Sequence, residues 1–429
     1  VKLLYFNGDP GIDPFGTKGA STHIRETCRA LIELGHEVLL LSARGEKVNA
    51  LNPSNPDSGI PANDPLRQLR VHWVPAPTAK WLGFDGRRIL LSHRMAAELA
   101  MLGLGDFKPE ALYERYALYQ DTALPYGNSA GWPRALEVNT LLAQEMSQRL
   151  KLKWLARRVE RRIWRRAPLL VTLSHTLRRR ILAELGHDGD DTESLRPIPV
   201  LSDELRKLDR NKPQFLISPM AVDSQRFAPE RTAPDKTLRK LAQGRALVGY
   251  VGSLGGWHGS EQLLAIAESL RQMNAQALLV AVGDQPDRIA RLAAKARERH
   301  LDHHLALHPA VPYERVPAIM AALDVAIIPE TQEWSVPTKL FEYAAMQLPI
   351  VAAGREVVRE FVEADPSAPW ARCVPPNQPE AFAKSIMEAL ENTSATKSMV
   401  QNARRVVLTH HTWKANAQAL IEALQAQNP

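Results

Sequence analysis

The chain of 429 residues is longer than one hydrophobic core usually supports, and with 45% hydrophobic and 24% charged residues it reads as two globular domains, not as a disordered or fibrous chain. Its two cysteines, Cys28 and Cys373, exclude a disulfide framework or a thiolate metal cluster and point to a reducing, cytoplasmic compartment. The formal net charge of +7 comes without a nucleic-acid recognition motif, and no apolar run is long enough to span a membrane.

The first predicted element is an apolar strand, Lys2 to Phe6, in a run too short to be a signal peptide. A Gly/Pro-rich loop from Gly8 to Gly19 leads into a helix whose apolar positions include Ile24, Cys28, Leu31 and Ile32. Gly35 stops that helix, and Glu37 to Ser42 forms the next strand, which completes a parallel βαβ unit. Further strands are predicted at Leu69 to Val74, Ala111 to Tyr113, Ala135 to Val138 and Leu169 to Leu173, with Ser174 as an N-cap. Ahead of the last of these, Lys151 to Arg166 is a basic helix with Leu152, Leu155, Val159 and Ile163 at helical spacing and with Trp154 and Trp164. Two readings of it stand: contact with anionic lipid, or a solvated basic face whose tryptophans pack inward.

Gly186 to Pro213 is polar and proline-punctuated and reads as an insertion or mobile loop, so Asp188 and Asp190 within it are solvated rather than metal ligands. A domain boundary is predicted near Asp223 to Asp235. The second half repeats the opening, with strand Ala246 to Val251, glycine loop Gly252 to Gly259 and helix Ser260 to Arg271. Strands follow at Ala277 to Val282, Val325 to Pro329 and Pro349 to Ala352. Two such openings predict an α/β chain of two Rossmann-like domains with a ligand cleft between them.

In order and spacing, several motifs resemble the retaining glycosyltransferases of the two-Rossmann, GT-B type, in particular the bacterial group 1 or family 4 enzymes. They are Gly16-Thr17-Lys18-Gly19-Ala20-Ser21 with Gly35-His36-Glu37-Val38, Tyr113-Glu114-Arg115-Tyr116, Glu137-Val138-Asn139 and Arg226-Phe227-Ala228-Pro229. After these come Gly249-Tyr250-Val251-Gly252, Trp257-His258-Gly259, Val282-Gly283-Asp284, and Val336-Pro337-Thr338-Lys339-Leu340-Phe341-Glu342-Tyr343. The resemblance implies a first domain over residues 1–225 for the acceptor and a second over 226–405 for a nucleotide-sugar donor, with a terminal helix over 406–429 that packs back on the first. Family members usually place an Arg and a Lys in the second glycine loop, where this chain has Ser253 and His258, and a glutamate where it has Trp334.

Implied donor contacts are Gly19, Ser253, Thr338 and Glu342, the last accepting hydrogen bonds from the ribose hydroxyls. Lys339, His258 and Glu333 are the implied catalytic residues: the first two meet diphosphate charge and Glu333 meets the donor sugar. Glu114, Arg115 and Asn139, after strands of the first domain, either contact the acceptor or the donor sugar or form structural pairs, and the acceptor is the reading carried forward. The implied reaction is metal-independent hexosyl transfer with retention, from a nucleotide sugar with UDP the first choice, to a hydroxyl acceptor that a basic helix would suit if it were lipid-linked. That places the enzyme in the cytoplasm or against the inner face of the membrane, in glycoconjugate synthesis, with no separate cofactor. An epimerase or phosphorylase of the same architecture, or a catalytically silent nucleotide-sugar-binding partner, are the alternative readings.

Overall fold

The computed structural model describes residues 1–16, 18–46, 51–103, 105–121, 123–187, 214–254, 259–283, 286–391 and 393–427. The chain divides into two units: Val1–Thr192, Ile198–Pro219 and Trp413–Pro429 form the first, and Met220–Thr412 makes up nearly all of the second. The path thus leaves the first unit at Pro219, ahead of the Asp223 to Asp235 stretch.

The first unit runs β1 (Lys2–Asn7), α1 (Gly19–Glu33), β2 (Glu37–Arg44), β3 (Arg70–Pro75), α2 (Gly83–Gly103), β4 (Ala111–Arg115) and α3 (Ala123–Ser129). It continues through β5 (Arg134–Val138), α4 (Leu142–Glu145), α5 (Lys153–Arg166), β6 (Leu169–Thr172), α6 (His175–Leu185) and β7 (Gln214–Ile217). Its seven strands lie in the order β3-β2-β1-β4-β5-β6-β7 and pair in parallel. Leu3 to Phe6 of β1 are wholly buried, as a central parallel strand covered on both faces requires.

α1 shows how local sequence sets the frame. Ile24, Cys28, Leu31 and Ile32 bury one stripe, and the helix ends in a Schellman motif: Gly35 at φ 83°, with the His36 amide bonded to the Leu31 carbonyl at 3.1 Å. The Ser174 hydroxyl caps α6 by accepting from the Leu177 amide at 3.0 Å.

In the second unit come α7 (Lys236–Ala242), β8 (Ala246–Val251), α8 (Ser260–Gln272), β9 (Ala277–Val282), α9 (Pro286–Glu298), β10 (Leu305–His308), α10 (Val316–Ala321) and β11 (Val325–Ile328). They are followed by α11 (Thr338–Ala345), β12 (Ile350–Ala353), α12 (Glu356–Val362), β13 (Arg372–Val374), α13 (Pro379–Leu390) and α14 (Ser394–His410). The sheet order is β10-β9-β8-β11-β12-β13, again parallel throughout. Each sheet therefore reverses its winding once, between β1 and β4 in one unit and between β8 and β11 in the other. Such switch points open a crevice at the carboxyl ends of the strands.

The last helix, α15 (Trp413–Gln425), belongs to the first unit and packs on α1. Trp413, Ala417, Leu420, Ile421 and Leu424 are its buried stripe. Two amides pin it: Asn416 donates to the Pro219 carbonyl at 2.7 Å, and the Gln427 side chain bonds the backbone N–H and carbonyl of Arg134 at 3.0 and 3.1 Å. Just before it His411, in the second unit, lies 4.8 Å from the Phe341 ring.

α5 divides its two tryptophans. Trp164 is fully buried whereas Trp154 is 67% exposed, so the expectation that both pack inward holds for only one of them. Among the described residues no helix is long and apolar enough to cross a membrane.

Candidate active site

At the switch point of the second unit, β8 is followed by Gly252 at φ 148°, a conformation that side chains rarely adopt. A Cβ there would stand 2.8 Å from Lys339 Nζ, so the missing side chain is what admits the lysine to the loop. Lys339, in the first turn of α11, donates to the Tyr250 hydroxyl at 3.0 Å and lies 4.5 Å from the centre of its ring. Tyr250 in turn donates to the Ser253 carbonyl at 2.6 Å. A cation is thus tied to the loop at the one position where the usual loop arginine is replaced by serine.

α11 also presents Glu342. The residue is 7% exposed, and Oε1 accepts a 3.0 Å hydrogen bond from Tyr313, whose ring is flanked by the Arg226 guanidinium at 4.8 Å and Phe227 at 5.9 Å. Tyr343, its neighbour, accepts from the Val251 amide at 2.8 Å and so locks the helix to β8. The connection from β11 to α11 is fixed as well: Arg355 grips Glu330 through two bonds of 2.8 and 2.7 Å, and the Thr331 hydroxyl donates to the Ser335 carbonyl at 2.8 Å. Thr338 opens α11 without a capping side chain, while Ser253 and Glu333 are exposed at the same strand edge.

In the first unit the candidate acceptor residues separate. Alternation along β4 sends Glu114 and Arg115 to opposite faces. Glu114 is wholly buried, so the expected acceptor contact through its carboxylate is not on offer at the surface. Arg115 joins a buried group with Glu137 of β5 and His23 of α1, whose Nδ1 is 3.2 Å from both partners. Tyr5 donates to Glu137 at 3.2 Å, and the half-buried Asn139 donates to it also.

Charge in this group follows from its burial. Burial pushes the His23 imidazole down to about 4, which keeps it neutral. Burial alone would raise the Glu137 carboxyl, but the adjoining His23, the Arg115 charge and hydrogen bonds from Tyr113 and Asn139 bring it below its ordinary value. An ionised Glu137 against Arg115 orients His23, whose ring also meets the edge of Trp413 at 5.3 Å.

Structure therefore brings Lys339, Glu342, Thr338 and Ser253 together at one edge, with Glu333 on the loop before α11, and Arg115 and Asn139 together at another. Gly19 opens α1 at an exposed position. His258 and the Asp188 and Asp190 pair lie outside the described residues. Sequence reasoning gave no role to Tyr250 and Tyr313. Tyr250 stands inside the quoted Gly-Tyr-Val-Gly run, and Tyr313 follows Pro312 just past the end of β10, a position where ligands gather in open α/β sheets. A larger recess of about 860 Å³, lined by Ala246, Asp324 and Pro349, lies at the opposite, amino-terminal edge of the second sheet, away from this chemistry.

Two protein-family models match the chain: residues 18–196 match the glycosyl transferase 4-like domain, and residues 235–406 match glycosyl transferases group 1. No curated protein matches it at a significant level. Among solved structures, sucrose-phosphate synthase from Thermosynechococcus elongatus superimposes with a TM-score of 0.70 at 16% identity, covering 99% of this chain and 98% of that one. Anabaena HepE in complex with UDP gives 0.69 at 15%, covering 99% and 100%. The α,α-trehalose 6-phosphate synthase of Burkholderia multivorans gives 0.65 at 13%, covering 99% and 98%. At these identities the likeness is one of fold, and it agrees with the two switch-point sheets. With family models matched over both units, the chain belongs to the group 1 glycosyltransferases, GT-B in fold, with a first domain like that of family 4.

Proposed function

We propose that this glycosyltransferase moves a hexose from a nucleoside-diphosphate sugar to an acceptor hydroxyl with retention of configuration, the second unit holding the donor and the first the acceptor. The observation that carries the reading is the Lys339 ammonium seated against Gly252, where a departing diphosphate needs its growing negative charge met. Glu342 then takes the ribose hydroxyls, sharing its carboxylate with Tyr313, while Thr338 and Ser253 border the phosphates and Glu333 the sugar. Retention follows from front-face displacement, in which the sugar acquires oxocarbenium character and the departing phosphate oxygen takes the acceptor proton. Lys339 supplies the charge that a metal would otherwise give, so the transfer is metal-independent. Arg115 and Asn139 position the acceptor. UDP is the favoured carrier, supported by the UDP and UDP-glucose held in HepE structures of the same fold.

A thermal-shift panel of UDP, GDP, ADP and dTDP without added metal tests the donor site. One nucleotide is expected to raise Tm by several degrees at about 100 times its Kd, equivalent to ~2.7 kcal/mol, and to lose that effect in Glu342→Ala. A folded sample that none of the four stabilises at millimolar concentration would sink the donor assignment.

The exposed face of α5 fits an anionic membrane and a lipid-linked acceptor. Trp154 and the 38% exposed Leu152 project beside Lys153, Arg157 and Arg158. Sedimentation with phosphatidylglycerol vesicles is expected to carry the protein down at low salt and release it in salt. Trp154→Ala should weaken the association several-fold, and equal partition with neutral phosphatidylcholine vesicles would dismiss the contact.

A further inference from the structure

We infer that the first unit seats a phosphoryl group of the acceptor, so that the acceptor is a phosphorylated molecule; this rests on the glycosyltransfer reading above and deepens it. The seat is a cavity of about 640 Å³ bounded by the Pro10 to Gly16 loop, the first turn of α1, the residues just past β2 and β3, and the start of α2. The segments that follow β1, β2 and β3 supply much of its lining, all of which belongs to the first unit.

Charge in the cavity is lopsided. Lys18, Arg87, Arg88 and Arg149 line it against the carboxylates of Asp13 and Glu46. Arg88 is partly balanced by Asp9 at 2.8 Å, and the Asp13 carboxylate accepts from the Phe15 amide at 2.9 Å. Arg88 and Arg149 both stand over the Phe84 ring, at 5.2 and 4.7 Å from its centre.

A second and independent observation points the same way. Ser21, in the first turn of α1, is 1% exposed and lines the cavity, yet among the described residues its hydroxyl has no hydrogen-bond partner. Buried hydroxyls are normally satisfied, so this one is set for a ligand oxygen. The Lys18 side chain at the N-cap of α1 makes no capping hydrogen bond either, and the leading amides of a helix suit an anion. Several cations, an unpartnered hydroxyl and a helix N-terminus suit the three oxygens and double charge of a phosphomonoester, or the terminus of a diphosphate, better than a carboxylate. A water-soluble sugar phosphate and a lipid-linked sugar diphosphate both carry this group.

Titration calorimetry on the full chain, saturated with UDP, separates the possibilities. Inorganic phosphate is expected to bind in the millimolar range, at least tenfold more weakly in the Arg87→Ala/Arg149→Ala double variant and several-fold more weakly in Ser21→Ala, with UDP affinity unchanged in both. Glucose 6-phosphate binding more tightly than phosphate would support the seat and assign the soluble source; farnesyl diphosphate doing so would support it and assign the lipid-linked one. Phosphate binding that disappears under saturating UDP, or is equal in wild type and double variant, overturns the proposal, as does glucose binding as tightly as glucose 6-phosphate. Failure of the wild type to bind UDP tells instead against the donor reading, because the phosphate titration without nucleotide still reports on the cavity.

Discussion

Lys339→Ala is expected to lower kcat/KM by about 10²- to 10³-fold, most of it in kcat, because the ammonium meets charge that appears on the diphosphate as the sugar departs. The loop offers little to replace it: Ser253 stands where an arginine is usual, and the Tyr250 hydroxyl that now receives the lysine already donates to the Ser253 carbonyl. Stability should change little, since Lys339 is half-buried and its hydrogen bond is to a tyrosine hydroxyl, not to a carboxylate. Nucleotide release from the donor selected by the thermal panel measures the loss. Lys339→Arg is expected to recover only part of the rate, as a planar guanidinium does not fit the space that Gly252 leaves. A Lys339→Ala enzyme within threefold of wild type would remove the lysine from the reaction.

The largest effect on stability is expected from Arg115→Met, at about 3–5 kcal/mol at pH 8, because it leaves Glu137 ionised and buried without its cation. The pH dependence carries a sign that a mere packing defect would not. In the wild type Glu137 lies below its ordinary pKa, so its contribution is present at neutral pH and is lost as the solution is acidified through that lowered value. In the variant only His23 and the hydrogen bonds oppose burial, so the carboxyl moves upward, and the deficit relative to wild type grows as pH rises through that shifted value. Urea unfolding should therefore show the variant closer to wild type at pH 5.5 than at pH 8; an equal deficit at both would mean that the pair's charge is not what holds the three elements together.

Much of this architecture was legible before any coordinates. Both glycine-loop openings carry it, because a buried apolar strand followed by glycines and an amphipathic helix has few other uses. β7, β10 and β13 escaped notice because they are short edge strands and only partly buried, whereas the four-residue β6, β11 and β12 are buried throughout and read as continuous apolar runs. Lys339 and Glu342 could be singled out because they share one short motif. Their partners could not: Tyr250 lies 89 positions from Lys339 and Tyr313 lies 29 from Glu342, and only tertiary packing pairs them. Glu114 shows the opposite failure. Its type and place suggested ligand contact, but which face of β4 meets solvent depends on what covers the sheet, and that is not written in four adjacent residues. His23, Arg115 and Glu137 come from α1, β4 and β5, so the sequence could name structural pairing as one reading of Arg115 but not the partners that make the buried ion group.

The return of α15 to α1 also orders events during synthesis. Every residue of the second unit precedes Trp413, so the ribosome must complete that unit before the helix that covers α1 emerges. Until then the α1 surface that α15 will cover is open to solvent or to a chaperone, and the Pro219 carbonyl lacks the Asn416 donor. The second unit can close without waiting, so the half of the molecule made first is the half finished last.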